Sequence, residues 1–208
     1  MCGRFAFASS LEQLEKEFPW VKFRENVSPR YNLTPSQRIW GVRAQEPEAF
    51  AWGLPGWQGK SPLINARAES LLEKKTFRDL ALEQRCVIFA SGFYEWEAAG
   101  CQRNPYYFHL PGHLPFGLAA IWQQAAAGAP QACLITVEAA EPVAKIHHRC
   151  PAVLTGEEAK HWLQTPQLEL LRPNQHLLGH PVGHGVSKRG AEGVELILPR
   201  NDDEQLRF

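Results

Sequence analysis

The chain has 208 residues, 44% of them hydrophobic, and its Lys+Arg and Asp+Glu counts are both 22, so the net charge is zero. That is enough apolar material for one substantial core, and the charge balance excludes a protein that grips nucleic acid by bulk electrostatics alone; any nucleic-acid site must be a local basic patch. The five cysteines, at 2, 86, 101, 133 and 150, form no C-x-x-C pair, which argues against a zinc site or a disulfide framework and fits a reducing, cytoplasmic compartment.

The opening stretch "MCGRFAFASSLEQLEKEF" lacks a basic region followed by an apolar one, so no secretory signal is expected. There is no apolar run of roughly 18 residues either, and no membrane span is expected. "ASSLEQLEKEF" predicts a short helix, capped by Ser9 or Ser10 and stopped by Pro19, with Leu11, Leu14 and Phe18 on one face. "SPRYNLTPSQ", broken by Pro29 and Pro35, reads as a loop. "RIWGVRA" and "EAFAWGL" read as two strands joined by a turn. "PGWQGKSPLINARAESL" is a Gly/Pro-rich loop entering a helix, and "TFRDLALEQ" continues helically.

"RCVIFASGFYEWEAAG" is the strongest strand signal, rich in β-branched and aromatic residues. A turn at "AGCQRNP" returns it through "YYFHL" as a hairpin. "FGLAAIWQQA" and "ACLITVEAA" make a second hairpin, "TGEEAKHWLQ" a helix capped by Thr155, and the tail is loop with a late strand, "GVELIL". Strands and helices do not alternate as βαβ units. The expected fold is α+β: a single domain over residues 1–208, with a curved, mainly antiparallel, barrel-like sheet flanked by short helices.

Several residues group by chemistry. Cys2 lies one removable residue from the amino end, and removal of Met1 would place a free α-amine and a thiol on neighbouring carbons. Their intrinsic pKa values, about 7.7–8.0 and about 8.5, leave both partly nucleophilic near neutrality. An amine condenses with an aldehyde to an imine, and an adjacent thiol closes that imine to a five-membered thiazolidine without any cofactor. Asn65, Glu95 and His147 complete a plausible covalent-catalysis set. Each also has a plainer role: Asn65 as a turn residue, Glu95 as a strand residue facing water opposite Tyr94 and Trp96, His147 and His148 as a loop pair. His176, His180 and His184 have metal-like spacing, but the surrounding Gly179, Pro181, Gly183 and Gly185 argue against a helix there, and no metal is expected.

The ordered stretches "MCGRF", "RYNLTP", "WGLPGW", "LINARAES", "RCVIFASGFYEWE", "AAIW", "ITVEA", "IHHRCPAVL" and "HPV" run through almost the whole chain, and with them it resembles the SRAP (SOS response-associated peptidase) family. The resemblance implies a curved antiparallel sheet with a basic groove, loss of the initiator methionine, and action on abasic sites in single-stranded DNA. It implies a thiazolidine DNA–protein crosslink through Cys2 that shields the lesion, crosslink reversal and strand-incising lyase activity. Asn65 then orients the amino terminus or the sugar, Glu95 relays protons for the α-amine, and His147 is the general acid/base on the sugar oxygen. Arg4, Arg67 and Arg149 match phosphate-contacting arginines, Lys75 a further basic position, and Pro35 and Trp57 the loops that wedge and stack bases. No cofactor is implied, and a monomer is the simplest assembly. Cys150 stands where a methionine or arginine is common, and "WGLPGW" is one residue shorter than the usual pattern. Two other classes of function remain open: a cysteine peptidase with His147 as base, and a non-covalent reader of modified single-stranded DNA.

Overall fold

The structure is a computed structural model that describes residues 2–24, 27–56, 59, 61–99 and 102–200. In chain order its strands are β1 (Phe5–Phe7), β2 (Arg30–Leu33), β3 (Arg38–Val42), β4 (Pro47–Trp52), β5 (Asn65–Arg67), β6 (Arg85–Ala90), β7 (Gly92–Ala99), β8 (Gln102–His109), β9 (Phe116–Gln123), β10 (Gln131–Glu138), β11 (Arg149–Pro151), β12 (Val153–Leu154) and β13 (Leu178–Pro181). The α-helices are α1 (Leu11–Glu17), α2 (Lys75–Glu83) and α3 (Gly156–Gln164).

Five of the strands close on themselves. β10 pairs β4, β4 pairs β3, β3 pairs β6, β6 pairs β9, and β9 returns to β10. Closure removes the exposed edges of this sheet. The pairings are antiparallel except where β10 meets β4 and β5. A second sheet, in the order β13-β8-β7-β1-β2, is antiparallel throughout. The architecture is thus the α+β, barrel-like and mainly antiparallel one that the sequence predicts.

The long apolar run from Arg85 is two strands rather than one. β6 lies in the barrel and β7 in the second sheet, and the chain changes sheets at Ser91, whose amide donates to Ala6 O at 2.8 Å. Gly92 follows because nothing larger fits: a Cβ there would sit 2.2 Å from the Tyr107 ring. The switch gives β7 two buried faces. Phe93 joins the main core, while Tyr94 packs with Ala6, Tyr107, Val182, Val186 and Leu196 in a smaller cluster.

The helices form where their caps predict. Ser10 caps α1 in a reciprocal box with Gln13, and Thr155 caps α3 in one with Glu158. Trp162 of α3 is fully buried, and its indole donates to Cys86 O and Ala120 O at 3.2 and 3.3 Å, fastening the helix across β6 and β9. Burying a large apolar side chain is worth about 1.5–3 kcal/mol, so anchors such as Trp52, Trp162 and Phe93 give the site a stiff base. No helix among the described residues is long and apolar enough to cross a membrane.

Three local expectations are corrected. "RYNL", read as loop between two prolines, is β2, paired with β1 at Phe5↔Leu33. "INAR" leads into strand β5 followed by a 3-10 turn (Ala68–Ser70), not directly into a helix. "GVELIL" is a 3-10 turn at Val194–Ile197, not a strand; the strand of the tail is β13, which takes the edge of β8.

Candidate active site

The site is assembled where β1, β5, β7 and the segment before β11 converge. Cys2 leads directly into β1 and is fully buried. Its carbonyl accepts a hydrogen bond from Asn65 Nδ2 at 2.8 Å, and its thiol lies 3.7 Å from Arg4 O. Asn65 is fixed by the pairing of β5 with β10, Leu134 opposite Asn65. Its Oδ1 is buried and has no hydrogen-bond partner among the described residues, so an acceptor is available beside the Cys2 backbone.

Glu95 reaches the same place along β7. The Phe5↔Phe93 pair continues through Tyr94 N, which donates to Arg4 O at 3.0 Å, so the glutamate stands two residues farther along, beside the start of β1. Alternation puts Glu95 on the face of Phe93, the side of the main core. It is 4% exposed, which replaces the water-facing alternative. Burial pushes its carboxyl up to about 7, against the opposing charge of the chain's amino terminus. A carboxyl held there can give or take a proton near neutrality.

His147 follows a 3-10 turn, its amide donating to Val143 O at 2.9 Å. Its Nδ1 accepts from the Arg149 amide at 3.0 Å and lies equally far from the Arg149 carbonyl. The exposed His148 ring stacks on it at 4.5 Å. Burial lowers the His147 pKa below its usual value, against the hydrogen bond to the Arg149 backbone, and the charges of the amino terminus, His148 and Arg149 act in the same direction as burial. The imidazole is therefore mostly neutral at pH 7, fit to accept a proton.

The Cys2 thiol is pushed well above its ordinary pKa, first by burial and then by the Glu95 carboxylate, with Cys150 contributing in the same direction. Cys150 is itself buried and pushed up to about 12, again chiefly by burial. Two thiols and a carboxyl thus share one electrostatic neighbourhood. Of the four sequence-predicted residues, Asn65 and Glu95 meet at Cys2, and His147 comes within electrostatic reach of the amino terminus, as Cys2 and Glu95 do.

The predicted DNA contacts divide. Arg67, at the end of β5, and Lys75, in the first turn of α2, are exposed. Arg4 is half-buried and committed elsewhere: Nη1 donates to Asn32 Oδ1 and to Val186 O, both at 2.7 Å, and the guanidinium lies over Trp96. Arg149 is buried, its fork held by both Glu69 oxygens at 2.7 and 2.9 Å. Pro35 is half-buried in the turn between β2 and β3. Trp57 and Met1 lie outside the described residues. Ser36, Trp52, Gly53, Leu54 and Pro62 line an open cavity of about 490 Å³. Gly53 has φ +124°, and a Cβ there would meet Pro62 at 2.8 Å. A cavity of about 510 Å³ around Phe23, Arg24 and Trp40 contains none of the site residues.

Among the described residues no group of His, Cys, Asp or Glu is placed to hold a metal. His180 instead donates from Nε2 to Ile197 O at 2.9 Å. Glu69 and Thr136, which hold Arg149, escape a reading of the sequence for nucleophiles and bases. The signal for Glu69 was nonetheless present, since it lies within the "LINARAES" stretch.

The chain is 29% identical over 224 residues to the abasic site processing protein YedK of Escherichia coli, covering 96% of this chain and 100% of that one. It is 32% identical over 179 residues to the abasic site processing protein YoqW of Bacillus subtilis, covering 78% of this chain and 80% of that one. The abasic site processing protein HMCES of Gallus gallus is 29% identical over 187 residues, a match that takes in 71% of this chain and 56% of the longer relative. A crystal structure of a protein from Bacteroides thetaiotaomicron shares the fold with a TM-score of 0.77 at 20% identity, covering 96% of this chain and all of that one. Residues 1–189 match the family described as SOS response associated peptidase, and the chain belongs to this SRAP family.

Proposed function

We propose that this protein processes abasic sites in single-stranded DNA by capturing them covalently through Cys2 once Met1 has been removed. The observation that carries the reading is the Asn65 hydrogen bond to the Cys2 carbonyl at 2.8 Å beside a buried Glu95. A side chain whose own backbone is held this way presents the start of the chain, not a strand interior, to the site's proton donors and acceptors. The names of YedK, YoqW and HMCES supply the substrate class.

The proposed chemistry balances without a cofactor. Glu95 takes a proton from the α-ammonium of Cys2. His147 moves a proton at the ring oxygen of the abasic sugar, freeing its aldehyde. The amine adds to the aldehyde carbon, water leaves, and an imine forms. The Cys2 thiol then adds across the imine, its sulfur to carbon and its proton to nitrogen, and a thiazolidine closes with net loss of one water. The thiol is already adjacent, which supplies the intramolecular advantage. Loss of a C2′ proton and of the 3′ phosphate from the imine, before the thiol closes, forms a C2′–C3′ double bond and is the proposed route to strand incision.

A peptidase would need Cys2 as a thiolate, and burial opposes that form. In the capture reading the reacting group is first the amine. Intact-mass measurement of the purified protein, before and after incubation with a single-stranded oligonucleotide carrying one abasic site, tests the proposal. Loss of Met1 and an adduct of oligonucleotide mass minus one water that maps to Cys2 are expected. A processed chain that forms no adduct would leave non-covalent recognition as the better account.

A further inference from the structure

Arg149 has an expected role at phosphate, yet its geometry describes a different task. The Arg149 side chain is 9% exposed, and Glu69 takes both of its Nη groups, at 2.7 and 2.9 Å. Nη2 also donates to Thr136 O at 2.6 Å. Three segments therefore meet on one side chain: β10 through Thr136, the 3-10 turn four residues past Asn65 through Glu69, and β11 through Arg149 itself. The backbone of the same arginine brackets His147 Nδ1 at 3.0 Å. Planar, bidentate pairing fixes orientation as well as distance; beside the Glu138↔Arg149 ladder pair, the carboxylate of Glu69 braces the arginine whose backbone holds the His147 ring. Asn65 lies on β5 and His147 two residues before β11, and these two strands border opposite edges of β10. The Glu69–Arg149 pair spans that strand and ties the two edges together.

We propose that Glu69 is a positioning residue of the site: through Arg149 it holds the His147 imidazole in register with Asn65 and Cys2. The inference rests on the covalent-capture reading for its kinetic consequence, but not for its geometric one. Glu69 touches no reacting atom. Its side chain is half-exposed, and the Arg149 partnership lowers its pKa below the usual carboxylate value, so the carboxylate stays ionised through neutral pH.

The test uses the processed full chain with Glu69→Ala and Glu69→Gln, each checked for a cooperative thermal transition. Three readouts are taken: the ¹⁵N signals of the His147 ring, the single-turnover crosslinking rate on an abasic single-stranded oligonucleotide, and the Kd for the undamaged oligonucleotide at two salt concentrations. Glu69→Ala is expected to shift the His147 Nδ1 signal toward that of a solvent-averaged ring. It should slow crosslinking about 10- to 100-fold, the scale of a misplaced catalytic group, while the Kd stays within about twofold. Glu69→Gln keeps one acceptor and should fall between the two; it carries the test if the alanine variant does not fold.

An unchanged His147 spectrum and crosslinking rate would overturn the proposal. So would a Kd several-fold tighter with a steeper salt dependence, which would make Glu69 a stand-in that DNA phosphate displaces from Arg149. If the parent protein forms no crosslink, the capture reading fails, and the ring signals still decide whether Glu69 places His147.

Discussion

The floor and the rim of the site are built on different principles. On the floor, Cys2, Glu95 and Arg149 are less than 10% exposed, and Asn65, Glu69 and Thr136 hold their backbone or their charge in place. On the rim, Arg67, two residues past Asn65, and His148, next to His147, are exposed, as is Lys75 at the start of α2. Burial alone does not mark the floor as functional. Cys86 and Cys133, in barrel strands, are also fully buried, and burial raises their thiols too. What distinguishes Cys2 is a buried carboxyl, a neutral imidazole and a carboxamide brought to it from three other segments. The floor should therefore decide whether reaction occurs, and the rim how tightly DNA is held.

The largest effect is expected at Cys2. Cys2→Ala, or a chain that retains Met1, should reduce stable crosslink by at least about 100-fold, because the adjacent amine and thiol act as a unit. Denaturing gels with the abasic oligonucleotide read this directly. Cys2→Ala keeps a free amine, so strand incision should survive in it once Met1 is removed and be lost when that amine is blocked by acetylation. Equal incision by the free and the acetylated forms would remove the amine from the mechanism.

Glu95→Gln is expected to slow crosslinking about 100-fold, in line with the usual worth of a positioned acid or base. The same substitution should stabilise the fold. The Glu95 carboxyl rises from 4.5 to about 7. Across that interval the unfolded chain releases this proton while the folded chain keeps it, so stability falls as pH rises and levels off above 7. Gln cannot ionise and escapes that loss, which is worth at most about 3 kcal/mol. Melting curves at pH 5 and pH 8 should show the variant's advantage over the parent at pH 8 and little of it at pH 5. An advantage of the same size at both would mean that burial does not govern this carboxyl.

His147→Ala should slow capture about 10- to 100-fold by removing the acid/base group from sugar ring opening, and a pre-opened aldehyde substrate should recover most of that loss. No recovery would place His147 in a later step.

How much of this was legible depends on how local each signal is. α1 and α3 carry their capping boxes in four consecutive residues, and both form as expected. The hairpin of β9 and β10 is announced by two apolar runs with a polar turn, and it pairs from Gln123↔Gln131. β2 was hidden because its partners in β1 lie 23 and 28 positions away, Phe7↔Arg30 and Phe5↔Leu33, while its flanking prolines speak for a loop. "GVELIL" alternates like a strand, yet Val194 and Leu198 stay about half exposed while Leu196 alone is buried; β8, which would have taken it, pairs β13. Cys2, Asn65, Glu95 and His147 were found through motifs. The burial of Glu95 was not, because it follows from the sheet switch at Ser91. The Arg149–Glu69 pair joins residues 80 positions apart, a contact that only the folded β5, β10 and β11 create.

The smallest effects should come from the rim. Arg67 and Lys75 are exposed, so removing either disturbs little packing, and surface changes of this kind usually alter stability by less than about 0.5 kcal/mol. If their charges meet phosphate, each releases counterions from single-stranded DNA, and each alanine substitution should lower the slope of log K against log salt by about 0.7. The affinity loss should be several-fold at low salt, should fade as salt rises, and should be the same for every base sequence, because phosphate carries no sequence information. Single-turnover crosslinking at saturating oligonucleotide should be unchanged. A variant that binds normally but crosslinks slowly would move its residue from the rim to the floor, and the division drawn from burial would fail at that position.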